Sequence, residues 1–433
     1  MNHAASLAGA HNPAADYRGV PALADDKVRF SKERAGKWSM IAFVIGGIGL
    51  FAVILGCFAV SLQQALAAYL IGTVMMLGLC LGSMFLCMAF HLTNAQWAST
   101  IRRQFENVAC MLPVPMAMFA LFMMVELGSS LTGANGVLAT WLTESLQHEP
   151  MFLHKKAWLA PHWVAARTVI CFVVWFYLLS RVVWPSFRQD TTADVSLTAS
   201  MRFHSTYGLL LFAFSTTLFS VDWLMALADF RFFSTMWGVY FFAINILGAV
   251  SAVSLVLILL RRAGLLVGAV TNEHNHDLGK LVFAFTVFWA YINYSQYFLI
   301  WYSNIPEETQ FFIFRQREYP IATWLLVVAH FLIPWYVMLW REARRNSNIL
   351  VFVCCYMLAM HLLDLYWIVR PVVDYSPGGS DTGGPVSVLL SVAGAVGAGG
   401  VFAGLLIRRL PKSPLVAIND PRLPFSLKHK NYV

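Results

Sequence analysis

ILVFVCCYMLAMHLLDLYWIVRP, residues Ile349–Pro371, is long enough to cross a bilayer as one helix, yet it carries His361 and Asp364 three residues apart. A hydrocarbon core about 30 Å thick needs about 20 apolar residues of helix. Lipid offers exposed backbone no partner, so such a run must be helical. A charge at the bilayer centre costs about 2.5–3.5 kcal/mol on insertion scales, and is therefore turned inward, paired and put to use. The run thus poses two questions at once: how many others like it the chain holds, and what His361 and Asp364 face.

The wider composition answers the first. The chain has 433 residues, of which 59% are hydrophobic and only 12% charged, where a soluble domain carries about 25% charged residues. Apolar runs recur at about 37–60, 65–90, 106–127, 160–180, 206–228, 234–260, 281–302, 319–340, 347–371 and 384–407. The fold class expected is an all-α polytopic membrane protein of about ten transmembrane helices. The formal charge of +8 belongs to topology rather than to a nucleic-acid partner. Lys and Arg concentrate in the segments before the first run, after every second one and in the tail, as at Arg102, Arg103, Arg341 and Arg344. The alternate loops hold only Lys155, Lys156, Arg231, Arg315 and Arg317, with Arg370 at a boundary. By the positive-inside rule both termini are cytoplasmic.

The expected division is a polar, mostly disordered arm over 1–36, a peripheral helix over 37–64 and a four-helix bundle over 65–230 with a periplasmic loop at 128–159. A second four-helix bundle follows over 231–371, then a peripheral helix over 384–407 and a surface-hugging tail over 410–433. Two likenesses suggest the repeat: FVVWFYLLSR (Phe172–Arg181) beside FLIPWYVMLWR (Phe331–Arg341), and Asp222-Trp223 beside Asp364 with Trp367. An offset of four spans gives parallel repeats about an axis along the membrane normal.

Ionisable residues within the runs fall in two layers. The outer one comprises Asp222, Arg167, His361, Asp364 and Glu126, with Tyr294, Tyr297 and His330 extending a polar file inward alongside Asn245. His361 and Asp364 share a helix face and are spaced to hydrogen-bond directly. The inner layer comprises His91, Glu106 and His204, with His276, Asp277 and Lys280 in the stretch NEHNHDLGK (Asn272–Lys280). Both layers suit proton transfer. The bland readings are a tyrosine packing stripe, interfacial aromatic belts, and an ion-pair network that only locks helices together. No metal site is expected, because the His/Asp spacing matches no established one. All seven cysteines lie in apolar runs and no CxxC or CxxCH occurs, which disfavours covalent c-type haem and thiolate-bound clusters in this chain.

Five segments carry a resemblance: HLTNAQWASTIRRQFENVA (91–109), FSVDWLMALADFRFFSTMWG (219–238), NEHNHDLGKLVFAFTVFWAYINYSQYFLIWYSNIPEET (272–309), AHFLIPWYVML (329–339) and HLLDLYWIVRP (361–371). In this order they resemble the second polysulfide-reductase-type (NrfD-like) membrane subunit of alternative complex III, a bacterial quinol:cytochrome c oxidoreductase. The resemblance implies ten helices in two four-helix bundles and the bacterial inner membrane. It implies as partners a multihaem cytochrome c subunit, an iron–sulfur subunit, a sister NrfD-like subunit, small membrane subunits and lipids, with a terminal oxidase as a further neighbour. Haem and iron–sulfur centres are then expected in those partners, and in this chain proton half-channels made of the residues named above. The alternatives are a quinone site of its own near His361 and Tyr294, and an autonomous secondary transporter. Non-covalent haem b would have only His330 and His361 as deep axial ligands.

Overall fold

The structure, a computed structural model, describes residues 20–131, 136–142, 148–228, 230–375 and 384–431. Every regular element among them is helical. Nine helices among the described residues are long and apolar enough to cross a membrane, so the all-α polytopic character is as expected. The seventh expected span forms a 32-residue helix, Asn272–Ser303, whose Asn, Gln and Tyr residues leave it less apolar than the other nine.

The long helices start and stop on recognisable signals. Helix α1 (Lys32–Ala59) begins after Ser31, whose hydroxyl accepts from Arg34 N, and α2 (Leu62–Leu92) begins after Ser61, which accepts from Gln64 N. Such hydroxyls satisfy one of the orphan N–H groups at a helix start. Helix α3 (Ser99–Ala109) turns at Cys110–Leu112 into α4 (Pro113–Leu131). Helix α5 (Pro161–Leu178) leads through a π turn into α6 (Trp184–Thr192), and α7 (Ser196–Ser220) and α8 (Trp237–Arg262) follow. Helix α9 (Asn272–Ser303) is opened by a capping box between Thr271 and His274 and closed by Asn304 at φ 50°, a left-handed stop that Asn tolerates. The chain continues through α10 (Pro306–Glu318), α11 (Pro320–Leu325), a π turn at Leu326–Leu332 and α12 (Ile333–Leu339) to α13 (Ser347–Tyr375) and α14 (Pro385–Arg409).

Proline explains two of the three π turns. Pro185 and Pro334 cannot donate to the carbonyls of Arg181 and His330 four residues earlier, and π turns occupy Leu179–Val183 and Leu326–Leu332. The third, Val221–Met225, contains Asp222 and has no proline; its cause is not visible in the packing. Pro371 inside α13 likewise leaves Trp367 O without its helical donor. Arg315 supplies one, with Nε 3.1 Å from Trp367 O and Nη2 3.1 Å from Ile368 O. Arg315, expected in an exposed loop, is fully buried with its guanidinium 3.5 Å from the Phe311 ring centre.

Helix α2 is the most buried span. It packs on α14, α8, α7, α13 and the α3–α4 unit, while α8 packs in turn on α13 and α9. Helices α1 and α14 cross backbone to backbone: a methyl on Gly49 would stand 2.5 Å from Gly397 N, and one on Gly394 would stand 2.1 Å from Ala68 O of α2. Small residues allow this close approach where no hydrophobic effect drives helices together. The outer face of α1 presents Trp38, Ile48, Phe51 and Phe58.

Three expectations need correction. The third span does not begin at 106: α3 starts at Ser99, and all eleven of its residues are buried. The tail does not hug the surface, since Leu415, Val416, Ala417, Asp420 and Leu423 are buried beneath the ends of the helices. The part of the arm described, from Val20 to α1, packs against the protein rather than being disordered. Val28 is fully buried, Leu266 N donates to Lys27 O at 2.8 Å, and Leu415 N donates to Val28 O at 2.7 Å. Residues 1–19, Asp229 and, within the 128–159 loop, residues 132–135 and 143–147 lie outside the described residues.

Candidate functional site

The expected residues fall into separate groups. At the end of the helix array away from the tail, Arg167 on α5 meets Asp222 as a two-pronged pair, Nε to Oδ2 at 2.7 Å and Nη2 to Oδ1 at 3.1 Å. Trp158 Nε1 donates to the same carboxylate at 3.0 Å, and the guanidinium lies 4.1 Å from the Trp158 ring centre. This fork-on-carboxylate geometry is the strong form of an ion pair. Glu126, placed by sequence in the same proton-transfer layer, is buried elsewhere and accepts from the backbone N–H groups of Val137, Leu138 and Ala139 at 3.1, 2.8 and 3.2 Å. It ties a loop segment to the end of α4.

Asp364 is held differently. It is fully buried and accepts from Tyr240 OH on α8 at 2.6 Å and from Trp289 Nε1 on α9 at 2.7 Å. The His330 ring stacks on Trp289 with centroids 3.8 Å apart, and its Nδ1 stands 3.7 Å from Asp364 Oδ2. Both hydrogen-bond donors are neutral. His361, expected to bond Asp364 directly, does not: both of its ring nitrogens are buried without a partner. It points towards α2 and α8, where a methyl on Gly248 would stand 2.3 Å from its Nδ1. Tyr240 and Trp289 were not foreseen, since nothing local marks a tyrosine or tryptophan on another helix as the partner of an aspartate.

The tyrosines turn outward. Tyr294 is 64% and Tyr297 37% exposed, and with Tyr291 they line a cleft of about 900 Å³ between α9, α10 and the α11 segment. Phe312, Trp324 and Phe331 give it aromatic walls, Asn293, Gln316 and Thr323 are its polar points, and Trp289 reaches it from the Asp364 side. The tyrosine stripe is therefore the wall of a membrane-facing cleft rather than part of an inward file. Gln296, on the opposite side of α9, is buried against Ser234.

At the tail end, Arg102 spans Glu106 (2.7 Å) and Asp420 (2.6 Å), while Arg103 spans Glu106 (3.0 Å) and Asp190 (2.7 Å). Arg422 holds Asp420 at 2.9 Å and approaches His91 Nδ1 at 3.4 Å, and Ser186 Oγ donates to Glu106 at 2.9 Å. Three arginines thus balance three carboxylates. Burial raises the Asp420 carboxyl, but Arg102 and Arg422 outweigh it and hold the group well below the usual carboxylate range. Asp190, Asp420 and Arg422 were missed because two of them sit in a tail that reads as a loop.

The remaining inner residues do not join this network. His204 Nδ1 meets Tyr207 OH at 2.5 Å, and that hydroxyl meets Tyr177 OH at 2.8 Å, a half-exposed triad on the side of the array. Asp277 pairs with Lys280 at 3.1 Å and His429 at 2.6 Å near the surface, and His276 is buried with neither ring nitrogen partnered. No group of three or more metal-ligating side chains occurs among the described residues. His330 and His361 do not frame a haem slot, since one ring is stacked on Trp289 and the other is wedged against Gly248.

One internal likeness ties the two aspartate sites together. Trp223, next to Asp222, donates from Nε1 to Thr168 Oγ1 on α5 at 2.7 Å, and Trp367, one turn after Asp364, donates from Nε1 to Thr323 Oγ1 on α11 at 2.9 Å. Phe119 and Phe311 stand edge-on to these tryptophans at 5.2 and 5.7 Å. Compared with protein-family models and with curated proteins, the chain matches none.

Proposed function

We propose that the chain is an integral membrane subunit of a respiratory quinol:cytochrome c oxidoreductase of the alternative complex III type, and that its own chemistry is proton transfer. In this reading it lies in a bacterial inner membrane with both termini cytoplasmic. It carries two four-helix bundles, α2–α7 and α8–α13, flanked by α1 and α14, and the matched Trp–Thr bonds support that division. It anchors a multihaem cytochrome c subunit, an iron–sulfur subunit, a sister NrfD-like subunit and small membrane subunits.

The observation that carries the proton-transfer part is Asp364, a fully buried carboxyl whose two hydrogen bonds come from neutral donors. An aspartate meant only to lock helices is expected to face a cation, as Asp222 does. Quinol oxidation releases protons along with electrons, so a subunit that passes protons has a task beside redox-active neighbours. The five segment resemblances supply the identity of those neighbours.

A second reading, a quinone site in this chain, draws support from the cleft beside Tyr294 and Tyr297. Apolar aromatic walls with a few polar points are what a lipid-soluble ring compound requires, although His361 does not line the cleft. Purification of the tagged chain from its native membrane tests the proposal. Co-purification with haem absorbance and quinol:cytochrome c activity is expected. A chain that purifies alone, without haem, and moves a solute in vesicles is instead an autonomous transporter.

A further inference from the structure

We infer that a file of water molecules joins Asp364 to Glu106 along the seam between α2, α8 and α13, making one continuous route of the two charged layers. The inference rests on the proton-transfer reading above and extends it to residues that reading does not use. Four buried side chains, three on these helices and Asn107 on α3, carry polar atoms that no other protein atom satisfies: both ring nitrogens of His361, Asn245 Oδ1, Ser83 Oγ and Asn107 Oδ1. None of these residues is more than 3% exposed. Leaving such an atom dry costs about 1–3 kcal/mol, and buried waters sit where groups of this kind converge.

The packing places these atoms in two groups, which the proposed file joins. A methyl on Gly78 of α2 would stand 2.1 Å from Asn245 Oδ1 and 3.5 Å from His361 Cε1, which brings the two side chains within reach of one bridging water. A methyl on Gly82 would stand 2.4 Å from Asn245 O, and one on Gly248 2.3 Å from His361 Nδ1. Three glycines thus make the room in which the amide and the imidazole lie. Ser83 follows Gly82 and shares a helix face with Cys80. The Cys80 thiol donates to Val108 O at 3.3 Å, which brings that face against the end of α3 where Asn107 and Glu106 precede Val108. At the other end, His330 Nδ1 stands 3.7 Å from Asp364 without a partner of its own. Hydroxyls, amides and neutral imidazoles pass protons through intervening water without gaining a lasting charge, so the seam needs no carboxylate between its two ends.

A cryo-EM map of the intact native complex, at a resolution that shows ordered water, tests the inference. The expected result is water density bonded to Asn245 Oδ1 and His361 and continuing to Ser83 Oγ and Asn107 Oδ1. A dry seam, or rotamers that pair these atoms with one another, overturns it. In reconstituted complex, Asn245→Leu is expected to slow proton uptake on the order of tenfold, whereas Asn245→Ser, which leaves room for a further water, retains most of it. Equal rates in Asn245→Leu and wild type overturn the route. The parent reading fails separately: if water fills the seam but Asp364→Asn leaves proton movement unchanged, the route stands as a hydrated seam and proton transfer as the function falls. If Asp364→Asn abolishes proton movement across a dry seam, the function stands and this route is wrong.

Discussion

Asp222 and Asp364 sit beside similar tryptophan–threonine pairs and live under different chemistry. Each lies near a tryptophan whose indole N–H reaches a threonine on the helix before it, and each has a phenylalanine edge-on to that tryptophan. Yet Asp222 is gripped by Arg167 through two short bonds, while Asp364 is held by a phenol and an indole. Two similar scaffolds thus give one carboxylate a cation and the other only neutral donors. The lesson is that burial alone does not set a carboxylate's chemistry. The charge of its partners does.

The largest expected effect lies on the Asp222 side. Arg167→Leu strands a buried carboxylate and is expected to destabilise the protein by about 3–5 kcal/mol. Asp364→Asn keeps an acceptor for Tyr240 and costs about 1 kcal/mol, the order of one neutral hydrogen bond. Unfolding of both variants in the same detergent measures the contrast, and equal losses would erase the distinction between the two sites.

Next comes the Arg315 cap. Arg315→Met removes charged donors from the carbonyl that Pro371 leaves bare, at an expected cost of about 1.5–3 kcal/mol. The same change beside Pro371→Ala, which returns a backbone donor to Trp367 O, is expected to cost measurably less. A double-mutant cycle on thermal stability reads the coupling.

The paired tryptophans give a smaller and symmetrical effect. Trp223→Phe and Trp367→Phe each lose one N–H···O bond, worth about 1 kcal/mol. Similar losses would sharpen the case for a structural repeat, and a loss in only one half would weaken it.

The smallest effect concerns the tail under acid. Burial, and then the nearby His429 imidazole, push His274 down to about 4 from an ordinary 6.5. The unfolded chain therefore binds the proton first, and stability falls as pH drops through that interval. Asp420 works lower still. Its depressed carboxyl stabilises the fold above the ordinary value of 3.8, and that contribution is lost progressively below it. Limited proteolysis after Lys412 is expected to quicken in two stages as pH falls. His274→Gln is expected to abolish the first stage only.

Much of the fold was legible because lipid imposes simple demands. Apolar runs had to be helices, although counting apolar residues put three starts at about 37, 65 and 281 rather than just after Ser31, Ser61 and Thr271. The Arg167–Asp222 pairing was legible too, since a buried acid needs a cation and few were at hand. What lay beyond reach was partner choice across helices. Tyr240 and Trp289 carry no local sign that they face Asp364, and the spacing of His361 and Asp364 concealed that the two side chains turn to different neighbours. Helix α3 misled through its charge: Arg102 and Arg103 were counted to a loop, but Glu106, Asp190 and the tail's Asp420 neutralise them inside the protein. The glycine run from Gly394 to Gly400 did carry a readable signal for the backbone crossing with α1. Its meaning lies in the spacing of small residues on one helix face, a pattern that counting apolar residues passes over.

Proton release per electron, measured in vesicles holding the intact complex with Asp364→Asn or with Asp222→Asn, tests the central claim most directly. The account predicts a lowered ratio for the first at near-normal assembly, and for the second a failure of folding or assembly without a selective loss of protons. An unchanged ratio in assembled Asp364→Asn complex would contradict it.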